Sequence, residues 1–256
     1  MRALRYRLAA RFGGQPPLPP ATLRGGIGPG DFWLEGEAIA RHLASRVDLP
    51  RIDRVLEIGS GLGRLAWPLS LRLPRRASYL GLDVSPAYVD WSRAVLPLPA
   101  GRFEFRRLDV ASSQYNPGGG IAPEAVVLPV ADAGVDLVIA NSLLSHLLPS
   151  AIERYVAESR RVLRSGGRLY ASAFVVDDGS LPRILARDSY PIFVERRENC
   201  WISDPAIPEA GVAVDGAWFL AALTDRGFAI DLVEPGSWRG LPAAPRYQDL
   251  ILATAA

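Results

Sequence analysis

The sequence predicts an α/β fold, a mostly parallel sheet with helices on both faces. Two observations carry this. Short apolar runs at residues 55–58, 78–82, 103–108 and 137–140 alternate with stretches of helical periodicity, as repeated β-α units do. The first run ends in a carboxylate and a crowd of glycines, Glu57-Ile58-Gly59-Ser60-Gly61-Leu62-Gly63-Arg64.

Residues 1–12 place Leu4, Leu8 and Phe12 at helical spacing among Arg5, Arg7 and Arg11. Two readings stand: a helix docked on the domain, or one lying on a membrane surface. Residues 13–20 are a Gly/Pro linker and residues 24–30 a glycine-rich loop without phosphate-loop spacing. Residues 31–44 follow as a helix with Phe32, Ile39 and Leu43 on its apolar face, placed to act as a lid over a cleft. Residues 1–50 thus read as an N-terminal helical extension and residues 51–256 as the main domain.

Glycines at a strand-to-helix turn supply backbone angles that a Cβ forbids and let a ligand approach the backbone. The spacing G-x-G-x-G differs from the dinucleotide pattern G-x-G-x-x-G, since the third glycine comes one residue early. Glu57, two residues before the first glycine, would repel a pyrophosphate and suits a cationic ligand. S-adenosylmethionine (SAM) is such a ligand. The stretch Glu57-x-Gly59-x-Gly61-x-Gly63 resembles motif I of the class I SAM-dependent methyltransferases. The resemblance implies a Rossmann-like three-layer sandwich, with a mostly parallel seven-stranded sheet and an antiparallel closing strand.

After the glycine turn a helix is expected to about residue 73, ended by Pro74. Asp83 closes the second strand, twenty residues after Gly63, where an acid reaches a ribose diol. The alternative is an acid that only caps the next helix. Val84-Ser85-Pro86 resembles the turn that opens that helix in the family. The resemblance also implies that Asp109 binds the adenine amino group and that Val110 packs on the ring. Residues 128–140 are similar to the family's fourth strand and its preceding turn, and Asp136 within it is given no catalytic part.

The fourth strand ends at Asn141-Ser142, and ligands of such sheets lie outside the carboxyl ends of the strands. His146 follows by a few residues and is the best-placed base for a hydroxyl acceptor; the alternative is a packed histidine opening the next helix. The cofactor-binding set is Glu57, Gly59, Ser60, Gly61, Gly63, Arg64, Asp83, Val84, Ser85, Asp109, Val110, Asn141 and Ser142. Ser150 and Glu153 read as a capping box for a helix to residue 163, and Gly166-Gly167 as its left-handed stop. A fifth strand covers 168–175.

Residues 176–212 show no periodicity and read either as an insertion building the acceptor pocket or as a surface insertion. Asp215 caps a helix that Gly227 stops, and residues 228–233 and 247–253 look like the family's closing antiparallel pair. The Asn116-Pro117-Gly118 loop and the late Tyr247-Gln248-Asp249 are similar to members found among glycan-modifying proteins.

Composition narrows the chemistry. The chain has 256 residues, 49% hydrophobic, with net charge +2, which makes no demand for nucleic acid. All 29 basic residues are arginine, which excludes a Schiff-base lysine and a P-loop lysine. One cysteine, Cys200, and two histidines, His42 and His146, cannot make a Cys/His zinc cluster or an internal disulfide, so no metal is expected and a cytoplasmic location fits. No apolar run approaches the ~18–20 residues of a membrane span. The expectation is a SAM-dependent methyltransferase acting on a small-molecule or glycan acceptor, at oxygen. A SAM-binding protein that transfers no methyl is the rival.

Overall fold

The computed structural model describes residues 16–25 and 31–256. The helix expected over residues 1–12 lies outside the described residues, as do residues 13–15 of the linker and 26–30 of the glycine-rich loop.

Five strands run parallel: β1 (Arg54–Ile58), β2 (Ser78–Asp83), β3 (Phe103–Arg107), β4 (Val135–Ala140) and β5 (Leu163–Val176). A hairpin of β6 (Glu195–Arg197) and β7 (Cys200–Ile202) pairs with β8 (Val212–Asp215), which lies parallel to the last residues of β5. β10 (Asp249–Ala255) is antiparallel both to β5 and to β9 (Phe228–Glu234). Seven strands therefore follow the order β3-β2-β1-β4-β5-β10-β9, with β10 alone reversed, and β8-β7-β6 extend the sheet from the far end of β5.

The central apolar runs become strands because helices cover both faces, so β1, β4 and the second half of β5 are buried on both sides, whereas β3 at the edge exposes alternate residues. Alternate residues serve opposite layers. Leu56, Val138 and Ala140 join one core cluster, and Val55, Leu137 and Ile139 the other.

After a single helical turn at Ala21–Arg24, the helices are α1 (Phe32–Arg46), α2 (Ala66–Ser70), α3 (Pro86–Val95), α4 (Pro149–Val162), α5 (Leu181–Leu185) and α6 (Gly216–Thr224). Asp31 caps α1 by accepting from the Trp33 and Leu34 amides. Phe32, Trp33, Ile39 and Leu43 enter the second core cluster. Buried Glu37 pairs with Arg72 beyond α2. His42 Nε2–H donates to Glu234 at 2.6 Å, and its Nδ1 accepts from the Tyr170 hydroxyl at 3.0 Å. Burial lowers the pKa of this histidine, against the pull of Glu234. The helix read as a lid is thus fastened to β5 and β9 and forms a wall of the cleft.

Several local expectations are corrected. α2 is shorter than the helix foreseen to residue 73, because Gly61 and Gly63 hold positive φ and residues 61–65 are spent in turns. The capping box at Ser150 does not form. α4 starts on Pro149, which suits a first helical position, while Ser150 Oγ donates to Glu124 and Glu153 pairs with Arg226. α4 also ends at Val162, ahead of the two glycines, and Gly166 (φ 73°) instead turns the chain inside the irregular start of β5. Residues 176–212 hold α5, β6 and β7, pieces of 3–5 residues that are too short to show a period.

Candidate active site

A cavity of about 700 Å³ opens at the carboxyl ends of β1, β2, β4 and β5. Its floor is the glycine turn after β1. The Gly59 and Ser60 amides donate to the Leu82 carbonyl at 2.8 and 2.9 Å, so the turn is laced to β2. Asp83, at the end of β2, accepts from the Gly61 amide at 2.7 Å and the Ser85 amide at 2.9 Å. Burial raises the Asp83 pKa, while its backbone bonds pull the other way. Gly61 has φ 54°, and a Cβ built on it would meet nothing within 4 Å. The position faces open space and leaves its backbone bare to a ligand. Ser60 Oγ is buried with no hydrogen-bond partner among the described residues.

Glu57 lies behind this turn and accepts from the Tyr79 hydroxyl. Burial pushes its carboxyl up to about 8, with the Tyr79 bond and the Arg64 charge opposing. Arg64 and Arg246 both line the cavity. Burial lowers each, and their mutual repulsion lowers Arg64 further, against the pull of Glu35 and Glu57. Arg246 donates to Asn141 Oδ1 at 3.1 Å, a neutral partner. Arg64 makes no hydrogen bond among the described residues. Two half-buried cations with no carboxylate in contact among the described residues favour an incoming anion.

Of the expected residues, Glu57, Gly59, Ser60, Gly61, Arg64, Asp83, Val84, Val110, Asn141, Ser142 and His146 line this one cavity. Three do not. A Cβ on Gly63 would meet Leu96 and Phe105, so that glycine serves packing. Ser85 caps α3 by accepting from the Tyr88 amide. Asp109 accepts from Asn116 at 3.2 Å, Gly120 at 3.3 Å and Arg107 at 2.5 Å, bonds that hold its carboxyl low, and it stays off the cavity wall.

His146 sits in a 3-10 turn after β4, beside Tyr115, with ring centres 5.5 Å apart. Its Nδ1 lies 2.9 Å from the Glu209 carbonyl. A carbonyl only accepts, so Nδ1 carries the proton and Nε2 keeps its lone pair. Burial lowers the pKa and so favours the neutral ring. Ser142 has φ 58° and donates its amide to Ser172 Oγ at 2.8 Å. Ser172 in turn donates to Gln248, whose Nε2 donates to Ser145 Oγ at 2.9 Å. Arg246, Gln248, Glu35 and Tyr115 escaped sequence reasoning because no spacing ties them to the glycine motif.

The description "methyltransferase domain" matches residues 56–169, from within β1 into β5. That stretch, under half of the chain, is similar to a methyltransferase domain. The chain is 30% identical over 134 residues to malonyl-acyl-carrier-protein O-methyltransferase of Methylococcus capsulatus. That match covers 52% of this chain and 40% of the relative, so the chain spans well under two thirds of the relative's length. Among solved structures, magnesium protoporphyrin IX methyltransferase of Synechocystis, with S-adenosylhomocysteine (SAH) bound, superposes with TM-score 0.57 at 17% identity, covering 99% of this chain and 95% of that one. The SpnF cyclase superposes with TM-score 0.56 at 17% identity, covering 85% and 80%. The matched stretch contains the glycine turn, Asp83 and the Asn141–His146 turn. Arg246, Tyr247 and Gln248 lie downstream of the matched residues. Among the described residues, no helix is long and apolar enough to cross a membrane.

Proposed function

We propose that this chain transfers a methyl group from SAM to a hydroxyl of a small-molecule or glycan acceptor. The observation that carries the reading is the open Gly61 face between Asp83 and the Arg64–Arg246 pair, in a cavity that also holds Glu35 and Glu57. Such a mixture of signs suits a donor bearing a carboxylate, an ammonium and a sulfonium. Asp83 would hold the ribose, Leu108 and Val110 the adenine, and the arginines the carboxylate. Ser60 Oγ offers a further donor. SAM supplies a methyl on positively charged sulfur, and transfer to oxygen leaves a neutral thioether.

The residues of the chain have two tasks. The glycine turn and the Asn141–Ser142 turn hold donor and acceptor in line, a positioning effect. His146 Nε2 takes the hydroxyl proton as the oxygen–carbon bond forms. Its lowered pKa keeps Nε2 free at neutral pH, so the acid limb of the rate profile should turn below 6.5. His146→Ala should cost ~10²–10⁴-fold in turnover with SAH affinity unchanged. A loss under about tenfold would assign rate to proximity alone.

The second reading is SAM binding without methyl transfer. It is kept because a neighbour of the same fold is named a cyclase. Calorimetry with SAM, SAH and NAD, followed by transfer from isotope-labelled SAM to sugars, phenols and small acids, separates the readings. NAD binding without SAM binding would sink both.

A further inference from the structure

The charges of the cavity are unevenly placed. Glu35, Glu57, Arg64 and Asp83 come from α1, β1, the glycine turn and β2, and Arg246 feels Glu35 and Glu234 on that same side. The opposite wall is built from the end of β5, residues 190–191, residues 210–211 and Tyr247; among the described residues it presents no cation, and the formal charge nearest to it is the Glu209 carboxylate, bonded to Ser113. This wall continues outward from His146. The His146 ring is tied to the Glu209 carbonyl. Two residues on, a Cβ built on Gly211 would lie 3.5 Å from the Pro191 ring. Beyond Pro191, the Tyr190 carbonyl accepts from the Tyr247 hydroxyl, and the Tyr247 ring meets Phe174 edge-on at 5.9 Å. Tyr190 is 71% exposed and Tyr247 44% exposed, large aromatic surfaces at a cavity mouth.

We propose that the acceptor is a neutral compound carrying its hydroxyl on a flat ring, seated against Tyr190, Tyr247 and Phe174 with the hydroxyl at His146 Nε2. The inference rests on the methyl-transfer reading and names its acceptor class. An anionic acceptor would lose its water against a wall that offers no cation. A sugar stacks on aromatic rings too, but its many hydroxyls need directional partners. Beside this wall, Gln248 already bonds Ser145 and Ser172, which leaves Gln114 and Ser112 as the polar side chains nearest to it and too few partners for the several hydroxyls of a sugar. A flat ring asks for little beyond apolar contact and one acceptor for its proton.

The test uses matched probes on the SAH complex: 2-naphthol, neutral at pH 7, 2-naphthoate, anionic, and methyl glucoside. Calorimetry of SAH alone comes first, and failure there counts against the methyl-transfer reading itself. With SAH bound, 2-naphthol should bind at least tenfold tighter than either other probe. Tyr247→Ala and Tyr190→Ala should each weaken 2-naphthol binding by about tenfold while SAH affinity and melting temperature stay put. The inference is overturned if 2-naphthol does not bind, if either other probe binds as tightly, or if both variants leave its affinity unchanged.

Discussion

At the scale of single residues, the site is governed by charges held out of water. Arg246 reaches the cavity from the loop before β10, and its contact there is the neutral Asn141 amide. A charged hydrogen bond to a ligand carboxylate is worth ~1.5–3 kcal/mol. Arg246→Gln should therefore weaken SAH roughly ten- to a hundredfold. Methylthioadenosine, which lacks the amino-acid end, should bind the variant and the parent alike; calorimetry on both ligands checks the pair. Glu57 gives a pH signature. Its folded pKa, about 8, stands above the ordinary 4.5, so the fold favours the protonated carboxyl. The associated stability is complete below 4.5 and is lost as pH rises through about 8. Melting of the ligand-free protein should fall from pH 5 to pH 9 more steeply than that of Glu57→Gln. A cation bound nearby favours the ionised form, so SAM binding should release protons near pH 7, visible as a buffer-dependent binding enthalpy.

At the scale of elements, the glycine turn shows how one local sequence makes both a fold and a site. Gly61 keeps a left-handed φ with nothing beside its missing Cβ, while its amide is held by Asp83. Gly61→Val should push a branched side chain into the donor space. It should abolish SAH binding, with a stability loss of only ~1–3 kcal/mol from backbone strain; a folded variant with normal affinity would show that the turn does not touch the donor. This turn was legible in the sequence because strand, glycines and acid are contiguous. Asp83 was legible because it ends the next strand of a regular β-α repeat. Asp109 occupies the matching place on β3, yet the loop at 112–120 folds back and captures its carboxylate through Asn116 and Gly120. Nothing in the spacing of Asp109 signals that capture. The capping box failed for a similar reason: Ser150 had a competing partner, Glu124, 26 residues away, and Pro149 could start the helix unaided.

At the scale of the whole molecule, β5 carries two attachments besides its pairing with β4. Residues 168–173 pair with β10, and residues 174–176 pair with β8. A buried lock fastens the junction. Asp249 accepts from the Val175 and Gly236 amides, from Trp238 Nε1 and from Arg239, while Arg239 also reaches Asp177. The donor wall is spread over α1, β1, β2 and β4, whereas much of the apolar wall hangs from the chain between β5 and β8. Replacing residues 186–211 by a short turn should leave SAH affinity within about threefold and remove acceptor binding, read by calorimetry on the same preparation. The division has an evolutionary meaning. Insertions or exchanges between β5 and β8 can present a new surface to a new acceptor, while selection on the donor half continues undisturbed across the junction that Asp249 pins.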